Sequence, residues 1–206
     1  MNTAELSTYV EECLAREGSR DHFMKRLEEM ASAPGHTPSE SDTECISVLA
    51  VDYLRAVVGM LRACEEAADA QGARGFADPL LKIAVQYFFE PDDLIPDSMG
   101  LYGLIDDAYL AHRFIIGLSD LVKAEKGFPL LPISEEESII VIRSVIGDEI
   151  AEKLDHKVDA NIRSVTVRNQ MARLTMLSGT LPTQDSALWA KVRADRERIA
   201  WSPKSS

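Results

Sequence analysis

The sequence predicts an all-α protein: an irregular helical bundle with a central Asp/Pro/Gly-rich helical hairpin and a long helix in its C-terminal half. Two observations predict it. Apolar residues recur at three- and four-residue steps through most of the chain, and Gly, Pro and capping residues interrupt those runs at intervals that suit helix ends. A third is the lack of any stretch alternating apolar and polar residues, and of any internal repeat, which argues against a sheet or a solenoid. A chain of 206 residues is short enough for one domain with one core.

The elements follow in order. Leu6, Tyr9, Val10, Cys13 and Leu14 keep helical spacing, as do Phe23, Met24, Leu27 and Met30 after Gly18, predicting two short helices or one broken one. Pro34, Gly35 and Pro38 make 31–41 a loop. Ser41 with Glu44 has the form of a capping box, and Ile46, Leu49, Tyr53, Val57, Met60, Leu61 and Cys64 carry a helix to about Gln71. Gly72 and Gly75 end it, and Asp78-Pro79 opens the next helix, Leu80 to Phe89, as N-cap and first-turn proline. The chain turns over 90–103 and resumes as a helix from about Leu104 to Lys126, stopped by Gly127 and Pro129.

Ser134 and Glu137 form a second capping-box pair. Ile139, Ile142, Ile146, Ile150, Leu154, Val158, Ile162 and Val165 then predict one long amphipathic helix over 134–178, with Gly147 admitting a bend. Its mean step of about 3.7 residues makes the apolar stripe drift slowly around the surface. A final amphipathic helix is predicted over 183–201, carrying Leu188, Trp189, Val192 and Ile199.

A net charge of −12 and a pI near 4.8 argue against general affinity for nucleic acid or anionic membrane, both of which rely on Lys and Arg. Lys191, Arg193, Arg196, Arg198 and Lys204 are the local exception, and read as the solvated face of the last helix. Cys13, Cys45 and Cys64 are odd in number and sit in apolar helical patterns, as reduced core thiols do. No run approaches the roughly 20 apolar residues of a membrane span, and Glu5, Glu11 and Glu12 do not suit a secretory signal. These features predict a cytoplasmic protein.

The most distinctive stretch is Pro91-Asp92-Asp93-Leu94-Ile95-Pro96-Asp97, followed by Gly100 and by Gly103-Leu104-Ile105-Asp106-Asp107. No Lys or Arg lies between Lys82 and Arg113, so six carboxylates (Glu90, Asp92, Asp93, Asp97, Asp106 and Asp107) share a window without a local cation. The two motifs and their separation resemble the YkvA-like family of small helical domains of unknown function. The resemblance covers roughly 48–121, within a hairpin core of 48–126, and implies a fold but no reaction. Ser98-Met99 and Leu101-Tyr102 depart from the family pattern, and the membrane association of many members does not carry over to this chain.

Two readings of the carboxylates stand side by side. In the first they shape helices: Asp93 or Asp97 caps a helix start, Pro96 fixes a turn, Gly100 and Gly103 permit close approach, and Asp106 and Asp107 occupy a first turn. In the second, Asp93 or Asp97 faces Asp106 or Asp107 across the hairpin and supplies oxygen ligands to Mg²⁺ or Ca²⁺, as in a metal-dependent enzyme or metal-regulated sensor. No other cofactor is called for.

Catalytic residues are not assigned. His22, His36, His112 and His156 show no metalloenzyme spacing, and nucleophile-elbow, phosphate-loop and dinucleotide motifs are missing. The function predicted is that of an interaction or adaptor-type module. If the helix over 134–178 projects rather than wraps the core, its stripe through Ile150, Leu154 and Val158 must be buried by a homodimer or a protein partner.

Overall fold

The computed structural model describes residues 3–31, 39–90, 94–132 and 137–178. These form seven α-helices and one short 3₁₀ turn, with no strand among the described residues: α1 (Thr3–Leu14), α2 (Asp21–Ala31), α3 (Glu40–Ala70), α4 (Arg74–Tyr87), the turn Asp97–Met99, α5 (Leu101–Lys126), α6 (Glu137–Ile146) and α7 (Asp148–Ser178). One compact unit extends from Met1 to Val167. A second takes Arg168 to Ser206, of which 168–178 continue α7. The predicted helix over 183–201, with Trp189 and Trp201, lies outside the described residues.

Helix α5 is the axis of the first unit, packing against α1, α2, α3, α4 and α6. A helix surrounded in this way buries side chains around most of its circumference. Accordingly Leu101, Leu104, Ile105, Leu110, Phe114, Ile115 and Leu118 are all buried. Each such Leu, Ile or Phe contributes about 1.5–3 kcal/mol by leaving water.

Three helix starts differ from expectation. The capping box of α3 is Ser39 with Asp42, not Ser41 with Glu44: Asp42 N donates to Ser39 Oγ at 3.2 Å and Ser39 N donates to Asp42 Oδ2 at 2.8 Å. Both pairs have the required spacing, and the helix takes the first one after Pro38. Helix α4 begins at Arg74, so Asp78-Pro79 does not open it and Pro79 lies inside. Burial of Phe76 and Ala77 draws the preceding turn into the helix, and Arg74 braces it against Asp69 at 2.9 Å. Helix α5 begins at Leu101 rather than Leu104, because fully buried Leu101 already belongs to the packed face.

The long helix is interrupted at Gly147, which has φ +89° and separates α6 from α7. Its stripe wraps the core rather than projecting. Ile139, Ile142, Ile146, Leu154, Val158 and Val165 are buried in the main cluster, with Ile150 and Ile162 packed against it. Of the two arrangements expected, wrapping is therefore the one found, and Ile150, Leu154 and Val158 are covered within the chain. Cys13 and Cys64 are core residues as expected, whereas Cys45 is exposed, because it falls on the outward side of α3.

Candidate functional site: the hairpin and a groove on α3

The hairpin bend is fastened to the turn between α1 and α2. Leu101 N donates to Ser19 O at 2.7 Å, and Ser19 Oγ donates to Leu14 O at 3.0 Å. Gly100 adopts φ +64°, and a Cβ there would fall on the Ser19 carbonyl. Gly103 is helical, but its Cβ would meet Pro96 O at 2.7 Å and Asp97 Cα at 3.1 Å. Both glycines are therefore required by close backbone approach.

The sequence-predicted carboxylates do not share one role. Asp97 opens the 3₁₀ turn, and its Oδ2 accepts a 2.7 Å hydrogen bond from the Tyr9 hydroxyl of α1. Burial, reinforced by the Asp97 carboxylate, pushes the Tyr9 phenol well above its ordinary pKa. The Tyr9 ring also lies 5.0 Å from that of Phe89, at the end of α4. Asp106 and Asp107 are fully buried in the second turn of α5, not its first, and its N-cap, Gly100, makes no side-chain capping bond. The earlier start of α5 is the reason. Asp93 lies outside the described residues. Among the described residues, no group of three or more His, Cys, Asp or Glu side chains is placed to hold a metal ion.

His112 is also fully buried, its Nδ1 3.1 Å from the Tyr53 hydroxyl, so α5 and α3 are linked through a polar pair inside the core. A second polar cluster escaped sequence reasoning. Asp155 of α7 accepts from Arg143 Nη1 at 2.8 Å and from the Tyr109 hydroxyl at 3.1 Å, and pairs with Arg113 Nε at 2.9 Å. Hydrogen bonding to Asp155 holds the Arg143 guanidinium well above the usual arginine range. Lys157, one turn short of Asn161, lies 4.0 Å over the Tyr87 ring and 3.7 Å from Glu90. These contacts pin the first half of α7 onto α4 and α5. The only sequence cue was that Arg113 ends the cation-free window.

An open hollow lies elsewhere, along the outward face of α3. Its volume is about 660 Å³. Cys45, Val48, Leu49, Ala56 and Met60 supply an apolar floor, with Glu44 and Asp52 as its charged lining. Val48 is 50% exposed. Ser138 at the start of α6 closes one side.

Residues 80–112 match the model of DUF1232, a family of proteins of unknown function. The DUF1232 segment is the hairpin itself, from within α4 through the bend to the middle of α5, and agrees with the resemblance its Pro-, Asp- and Gly-bearing motifs carry. No curated protein and no solved structure matches the chain. No helix of the described residues is long and apolar enough to cross a membrane. The matched residues include Gly100, Gly103 and Asp97 of the bend, and the groove on α3 lies before them.

Proposed function

We propose that the protein is a helical interaction module whose α3 groove receives a basic amphipathic helix. The observation that carries this reading is the pairing of an apolar floor with Glu44 and Asp52, the charged lining among the described residues. From Glu40 to Leu54 the sequence holds Glu40, Asp42, Glu44 and Asp52 and no Lys or Arg. An amphipathic helix laid in a groove buries anchors at three- and four-residue steps, and cations on its flanks would meet these carboxylates. Cytoplasmic residence accompanies the reading, supported by the acidic composition and by three free thiols.

Cys45 provides the assay, because Cys13 and Cys64 are buried and Cys45 is exposed in the groove. A helical Leu/Lys model peptide should slow alkylation of Cys45 by maleimide, saturably and less at high salt. A Leu/Glu peptide of the same pattern should not. Equal protection by both peptides, or by neither, refutes the reading. Glu44→Lys with Asp52→Lys should remove the protection without unfolding the chain, since both side chains are exposed.

A further inference from the structure

We infer that the helix taken up by the α3 groove is supplied by a second copy of this chain, through the outer face of α7. The inference rests on the groove reading above and names its occupant. From Ala160 to Ser178 the sequence holds Arg163, Arg168 and Arg173 and no Asp or Glu, in a chain of net charge −12. On the same stretch Val167, Met171 and Leu174 are 53%, 60% and 60% exposed.

Their steps of four and three residues put them on one stripe. At about 100° per residue, Val167 is turned some 200° from Val165, so this stripe lies opposite the one that seals the core through Val158 and Val165. Helix α7 therefore carries a second apolar stripe besides the one through Val158 and Val165. Exposed Arg163 and Arg168 flank the other.

Groove and helix complement each other in three respects. Apolar side chains meet an apolar floor. Arg163 and Arg168 meet Glu44 and Asp52. The groove from Cys45 to Met60 is about 22 Å long, and a helix over 160–178 is about 27 Å, so one can lie along the other. Reciprocal exchange, each copy placing its helix in the other's groove, closes as a two-fold pair rather than an open filament.

The full-length chain should sediment as more than one copy at micromolar concentration, with Cys45 alkylation slowing as protein concentration rises. Met171→Glu with Leu174→Glu should give a monomer whose Cys45 reacts at a concentration-independent rate. Those side chains are exposed, so folding is preserved, as circular dichroism will verify. Charge exchange supplies a second arm. Glu44→Lys with Asp52→Lys, and separately Arg163→Glu with Arg168→Glu, should each weaken self-association by about tenfold or more, and mixing the two variants should restore association. A wild type that stays monomeric, or an association unmoved by the α7 variants, overturns the inference. If the monomer's Cys45 is nevertheless protected by the Leu/Lys peptide, the groove reading survives with a foreign partner. If that protection also fails, both fall together.

Discussion

Replacing Gly103 with Ala should destabilise the protein, although the same change in an unconstrained helix stabilises it. In a helix interior, Gly→Ala is worth about 1 kcal/mol in favour of Ala, because glycine has more backbone freedom to lose. Gly59 on α3 is the unconstrained case: a Cβ there meets nothing within 4 Å. At Gly103 it would meet Pro96 O at 2.7 Å, and Asp97 Cα and Ile95 O at 3.1 Å. All three are backbone atoms, and the bend they belong to is fastened through Leu101 N to Ser19 O. None can swing aside as a side-chain tip does. The bend must retreat from α5 by about half an ångström, an overpacking of rigid backbone in the upper part of the usual range, about 2–3 kcal/mol, which outweighs the propensity gain. We therefore expect Gly103→Ala to lose about 1–2 kcal/mol and Gly59→Ala to gain up to about 1 kcal/mol. Urea unfolding followed by circular dichroism measures both. A Gly103→Ala protein as stable as wild type would refute the close-approach argument.

Three further outcomes follow from the polar contacts. Tyr9→Phe should cost about 1 kcal/mol by removing the 2.7 Å bond to Asp97, and combining it with Asp97→Asn should cost less than the two single losses together; strictly additive melting shifts would show that the pair does not interact. Asp155→Ala leaves Arg113 and Arg143 without their shared carboxylate and should cost about 2 kcal/mol, between the values for exposed and buried pairs, a loss that a urea midpoint within error of wild type would contradict. Alkaline stability should fall because burial pushes the Cys64 thiol from 9.0 up to about 12. Its folded pKa is raised, so its contribution is complete below pH 9 and lost as pH rises to about 12, reaching about 4 kcal/mol. Cys64→Ala should flatten the stability profile in that window, and parallel profiles for the two proteins would rule the effect out.

Local information made much of the hairpin legible. Gly100 and Gly103 were recognisable as close-approach positions, because few other uses explain glycines flanking an Asp/Pro bend. His112 showed no metalloenzyme spacing, and it sits in the core against Tyr53. Helix starts were less legible: Ser39 and Ser41 both offer a capping pair at the right spacing, and Asp78-Pro79 has the look of a first turn, yet burial of Phe76 and Leu101 moved α4 and α5 to earlier starts. That shift of α5 carried Asp106 and Asp107 from an exposed first turn into the core.

The sequence by itself determined the helical character of the described residues, the periodicity of their apolar faces, Gly147 as a point of bending and the glycine-dependent bend, because each is set by residues within a turn or two of one another. Only the tertiary structure decided that Asp97 answers Tyr9, that Asp155 gathers Arg113, Arg143 and Tyr109, that the stripe from Ile139 to Val165 closes the core, and that the described residues leave a hollow along the outward face of α3. Those outcomes depend on which faces of distant helices meet. Spacing along the chain states that a face is apolar or charged, but the face it packs against is fixed only when the whole bundle closes.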